Sequence, residues 1–281
     1  MSNTIEIPEV PTAGYSPTPE AFASRFFLLA NIAAGAGVPL ARRLAALGAR
    51  TVLLDPSREV LEKTDDEIRA EGGTPPVLQA LDPLGATVAD YDALARAVAR
   101  ERPALDGLVW DCGYVGHHGP ILTHPPEHWY AILRAHLDAA FAITQAFLPA
   151  LSALPQATVI YTTSEEGRRP RAFAGAHAVA HAGLETLARI GAEEYAYRGS
   201  PRFYTLDPGE VATTLREAFF PGREPGEVPP ASSIVDAYLE LLDPTRPGPG
   251  AVACLAHPDP ESAREARGTP SRKGKRVKPD R

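Results

Sequence analysis

His177 and His181 stand one helical turn apart in AHAVAHAGLETLARIGAEEY, so a helix over this stretch puts both imidazoles on one face. Imidazole titrates near neutrality, so the pair could act as acid or base. Two imidazoles at i and i+4 also suit zinc and similar ions. A different chemistry is signalled nearer the N-terminus by Gly35 and Gly37, which sit where an apolar run feeds a helical pattern. Free backbone N–H groups and the helix dipole favour an anion such as a pyrophosphate there, although a tight turn under a packed helix needs the same residues. Asp55 ends the next apolar run, roughly 20 residues on, where a carboxylate can accept hydrogen bonds from an adenosine ribose. It would repel a 2′-phosphate and so favours NAD over NADP. Asp82, at the end of the third run, suits either the adenine edge or the cap of the next turn.

These residues need a frame, and the chain reads as one. The runs RFFLLA, TVLLD, PVLQALD, LDGLVWD, ATVIYTTS and RFYTLDP, with AVACLA as a seventh, alternate with Ala/Leu-rich helical patterns. Such alternation predicts an α/β, Rossmann-like doubly wound fold: a mainly parallel seven-stranded sheet with helices on both faces. At 281 residues and 44% hydrophobic, the chain suits a single large domain over 25–258. Residues 1–24, with four prolines from Pro8 to Pro19, read as an N-terminal arm. Residues 259–281 read as a basic, disordered tail, because eight Lys/Arg against Glu265 and Asp280 between Ser262 and Arg281 come without an apolar period.

The net charge of −7 and the lack of any aromatic platform argue against specific nucleic-acid binding. No run approaches the roughly 18 apolar residues of a membrane span, and the start has no leader-like order, so a cytoplasmic location is expected. Cys112 and Cys254 form neither a disulfide framework nor a C-x-x-C metal motif. Seven of the eight histidines lie between His117 and His181. Of these, the His117-His118 pair, His124 and His128 read as loop and turn residues. Arg168, Arg169 and Arg171 are expected to form salt bridges with the neighbouring Glu165 and Glu166.

From about Tyr15 to Ala256 the chain resembles the short-chain dehydrogenase/reductase family. The family's T-G-x-x-x-G-x-G turn appears as Ala30, Asn31, three residues, Gly35, Ala36, Gly37, with Asn31 in place of the first glycine. Its N-N-A-G appears as Trp110-Asp111-Cys112-Gly113, keeping only Gly113, while its P-G-x-x-x-T is intact from Pro208 and Gly209 to Thr213. The resemblance places NAD(H) at Asn31, Gly35, Gly37, Asp55, Asp82, Gly113, Pro208, Gly209 and Thr213. It also implies a homodimer or homotetramer formed through helices over about 127–149 and 173–197, the second of which is apolar enough to be buried all round. The family's catalytic serine falls on Ser164. Its tyrosine, thirteen residues on, falls on His177, and its lysine, four further, on His181. The asparagine position falls on His136.

Three of four catalytic positions are therefore histidine. His177 is too short to carry a proton donor to the tyrosine's place, and His181 cannot reach a nicotinamide ribose as lysine would. The leading expectation is a retained fold without the family's hydride-transfer mechanism, serving as a pseudoenzyme or binding/assembly protein. One alternative is an NAD-dependent oxidoreductase acting on a small carbonyl or alcohol, with His177 working through a water and Ser164 orienting the substrate oxygen. The other is a metal site formed by His136, His177 and His181.

Overall fold

A computed structural model describes residues 9–10, 15–213, 216–217, 228–246 and 253–256. The strands are β1 (Glu9–Val10), β2 (Phe26–Ala30), β3 (Arg50–Asp55), β4 (Val77–Ala80), β5 (Gly107–Trp110), β6 (Thr158–Thr162), β7 (Arg202–Asp207) and β8 (Ala253–Ala256). They form one sheet in the order β1-β8-β7-β6-β5-β2-β3-β4, and every pairing is parallel. The seven expected strands are all present. An eighth comes from the segment read as an arm, because Glu9 and Val10 pair with Leu255 and Ala256 at the sheet edge.

That segment is tied in further along. The Tyr15 hydroxyl donates to Asp243 at 2.9 Å, and the short helix α1 (Pro19–Phe22) buries Ala21 and Phe22. The basic tail over 259–281 and the Cys254 side chain lie outside the described residues.

Side chains alternate between the faces of each strand, and both faces are covered, which is why the runs are continuously apolar. Phe27, Leu29, Leu53, Val109 and Ile160 point into one core, under α2 (Gly37–Ala46), α3 (Arg58–Ala70) and α8 (Val235–Leu242). Phe26, Leu28, Leu54, Trp110 and Tyr161 point into the other, under α4 (Val88–Glu101), α6 (Ala139–Ser152) and α7 (Gly175–Tyr195).

Strand order reverses at β2, whose last residue, Ala30, pairs with Leu54 on one side and Trp110 on the other. Chain connections leave this point in opposite directions, so a crevice opens beyond the strands' carboxyl ends. The helical stretch expected over 127–149 is three segments: α5 (Pro126–Leu133), a wide π turn over Arg134–Asp138, and α6. Within α7, Val179 and Ile190 are 46% and 49% exposed, so the helix is not buried all round in the single chain.

Candidate functional site

The first turn of the crevice follows β2. Asn31 adopts φ 56°, the left-handed conformation that asparagine tolerates best after glycine. Its side chain is turned aside, donating from Nδ2 to the Asp111 carbonyl at 2.6 Å. Gly37 opens α2 against the backbone of Ile32, and a Cβ there would lie 2.4 Å from the Ile32 Cα, so glycine is required. A Cβ at Gly35 would lie 2.7 Å from Asp111 Oδ2, which places that carboxylate directly over the turn. Gly113 packs against Ala34 from the β5 side.

Asp55 is buried, and both its oxygens accept backbone N–H groups, from Ala33 and Ser57, at 2.9 Å each. It therefore ties the end of β3 to the turn after β2. Asp82 is exposed and accepts the Leu84 N–H at 3.0 Å, the turn-capping role.

A cavity of about 170 Å³ occupies the crevice. It brings Gly35 of the first turn together with Ser164 after β6, His177 and His181 on α7, and Pro208, Gly209 and Thr213 after β7. Asn31, Gly37, Asp55, Asp82, Gly113 and His136 do not line it. Asp111 does, and burial raises its carboxyl to about 6 against one lowering bond from the Cys112 N–H. Burial likewise pushes the neighbouring Cys112 thiol up to about 12, which leaves it a poor nucleophile.

The three histidines expected at the catalytic positions form one buried cluster. His136 is carried inward by the π turn, a widening often found at functional sites, and the Trp110 indole donates to the His136 carbonyl at 3.2 Å. The His136 ring lies 5.0 Å from that of His177 and 5.5 Å from that of His181, edge to face in both pairs. His136 Nε2 sits 2.9 Å from the Tyr114 carbonyl and His177 Nε2 sits 2.6 Å from the Val115 carbonyl. A carbonyl only accepts, so both Nε2 atoms carry the proton. Burial drives all three rings down to about 3, reinforced by mutual repulsion and, at His181, by Arg168. They are neutral at pH 7.

Arg168 departs from the expected local pairing. Arg169 and Arg171 do pair with Glu165, but Arg168 turns inward to bridge Glu185 and Asp207, both nearly fully buried. Glu185 lies one further turn along α7 from His181, which extends the same helix face. Nothing in the sequence separates Arg168 from its two neighbours, and only the path of the chain after β6 selects it. Asp111 carried a visible signal, because it stands where the family has asparagine.

A doubly wound sheet with its crevice lined by a glycine turn, a serine after β6 and a Pro-Gly loop after β7 defines a dinucleotide-fold oxidoreductase scaffold. The family model for short chain dehydrogenase matches residues 28–224, and the chain belongs to that family. It is 30% identical to the oxidoreductase YciK of Escherichia coli over 228 residues, covering 81% of this chain and 90% of the relative. A short chain dehydrogenase from Pseudomonas syringae superposes with a TM-score of 0.81 at 31% identity, over 86% of this chain and 98% of that one. One from Shigella flexneri, complexed with NADP, superposes with a TM-score of 0.80 at 28% identity, over 85% and 99%. Among the described residues, no helix is long and apolar enough to cross a membrane.

Proposed function

We propose that this chain has kept the short-chain dehydrogenase fold but not the family's hydride-transfer mechanism, and that it acts as a binding or assembly protein. The observation that carries this reading is the state of the three imidazoles. Each is neutral, and His177, at the tyrosine position, directs its Nε2 proton to the Val115 carbonyl at 2.6 Å. The group at the tyrosine position thus offers its proton to the backbone and not to a substrate oxygen, and Ser164 is the one family-type hydroxyl left at the catalytic positions.

The residues do not fit a dinucleotide poised for reaction. The Gly37 turn is a proper cradle, yet the Asp111 carboxylate covers Gly35, and His181 has no ammonium to hold a ribose. Asp55, although its oxygens are bound to the Ala33 and Ser57 N–H groups, keeps a negative charge at the end of β3 that would disfavour a 2′-phosphate, so NAD is the dinucleotide proposed over the NADP bound by the Shigella flexneri protein.

A second reading has one observation in its favour: Ser164 and His177 border the same cavity, so a bridging water could link His177 to a small carbonyl or alcohol substrate. Assays of the purified chain with NAD(H) and NADP(H) against a panel of small carbonyls and alcohols separate the two readings. The first expects no turnover above background. Turnover lost in Ser164→Ala would overturn it in favour of the second. A two-fold homodimer through α5–α6 and α7 completes the proposal, supported by the exposure of Phe141, Val179 and Ile190 on those helices.

A further inference from the structure

The imidazole cluster has features that packing alone does not require. One ring nitrogen from each of His136, His177 and His181 lies within 4.8 Å of the other two, and among the described residues no other group of His, Cys, Asp or Glu is gathered in this way. His181 Nδ1 is buried and has no hydrogen-bond partner. The Tyr114 and Val115 carbonyls hold the Nε2–H of His136 and His177, which leaves the lone pair of each ring on Nδ1. A carbonyl taking the outer N–H of a ligating imidazole is the usual way such rings are oriented and made more basic.

We propose that His136, His177 and His181 form a binding site for one zinc-class divalent cation. In a tetrahedral site with Zn–N bonds of about 2.0–2.1 Å, ligand nitrogens stand about 3.4 Å apart, so the three, now within 4.8 Å of one another, draw together by up to about 1.4 Å through side-chain rotation on binding. The π turn supplies one ligand and successive turns of α7 supply two, a facial set that leaves the fourth position for water or an exchangeable ligand. His177 and His181 line the cavity, so that fourth position belongs to the cavity that also holds Ser164. Arg168 opposes positive charge at His181, but its guanidinium is paired with both Glu185 and Asp207, which offset that charge. Imidazole as the sole ligand type selects zinc, cobalt, nickel or copper over magnesium or calcium. This site stands independently of the dinucleotide reading above, because it uses different groups and a different assay.

The test is titration of the metal-stripped full chain with zinc by calorimetry and with cobalt(II) by visible spectroscopy, with no dinucleotide present. The expected result is one equivalent per chain and the ligand-field absorption of a four-coordinate cobalt(II) site. Affinity should fall roughly tenfold or more in each of His136→Gln, His177→Gln and His181→Gln. It should not change in His118→Gln, whose ring touches His177 at 5.4 Å but lies outside the cluster. Far-UV circular dichroism verifies that each variant is folded. Should one fail to fold, the wild-type cobalt spectrum still decides, since an octahedral spectrum or the absence of saturable binding refutes a three-imidazole site. Binding that survives all three substitutions, or that is lost instead in His124→Gln, would place the metal elsewhere and overturn the proposal.

Discussion

Three neutral imidazoles buried together make the metal-free protein acid-labile by an amount that can be worked out. Each ring has its pKa lowered from the ordinary 6.5 to about 3, mainly by burial. The unfolded chain then binds protons that the folded chain does not, so stability is fully present above pH 6.5 and is lost as pH falls toward 3. Between pH 7 and pH 5 each ring costs about 2 kcal/mol, and the three together about 6 kcal/mol. Asp111 works in the opposite direction, because its raised carboxyl regains its proton below about 6. Discounted for partial exposure, it returns about 1 kcal/mol. The net loss of about 5 kcal/mol is a large share of a typical stability of about 5–15 kcal/mol.

Urea unfolding of the metal-free chain, followed by the fluorescence of the fully buried Trp110, measures this loss. At an m-value of about 2–3 kcal/mol/M, the midpoint should drop by about 2 M from pH 7 to pH 5. His181→Gln should remove about a third of the drop. A midpoint that moves by less than about 0.5 M, or a pH dependence untouched by substituting all three histidines, would refute the reasoning about burial of the cluster.

Arg168→Met should destabilise the fold by about 3–5 kcal/mol, read as a lowered melting temperature, because it strands the buried Glu185 and Asp207 carboxylates. Arg169→Met, on an exposed pair, should change stability by less than about 1 kcal/mol in the same melt. Asn31→Ala should cost about 1–2 kcal/mol for an alanine in the left-handed region, and Asn31→Gly much less, as chemical denaturation would show. Asp111→Asn should tighten NADH binding by calorimetry at pH 7, since it removes a carboxylate lying over the glycine turn; unchanged affinity would mean that no pyrophosphate approaches Gly35.

The architecture was open to reading because its signals are local. An apolar run of four to six residues buried on both faces looks the same wherever it pairs, and all seven expected strands take their places in the sheet. The two-residue β1 had no such signal, because so short an edge strand owes its existence to the partner edge offered by β8. The family's motif spacing likewise points to Ser164, His177, His181 and His136 from sequence, since a helix turn and a strand end repeat at fixed intervals.

What the sequence determined by itself was therefore the frame and the identity of the residues at the catalytic positions, both properties of near neighbours along the chain. The tertiary structure alone decided how those residues behave. It turned the Asn31 amide away from the crevice, spent both Asp55 oxygens on backbone, and sent Arg168 rather than Arg169 inward. It also closed three imidazoles into one buried group. Protonation, ion pairing and ligand geometry depend on what surrounds a side chain in space, and those surroundings come from segments up to 80 residues apart in sequence.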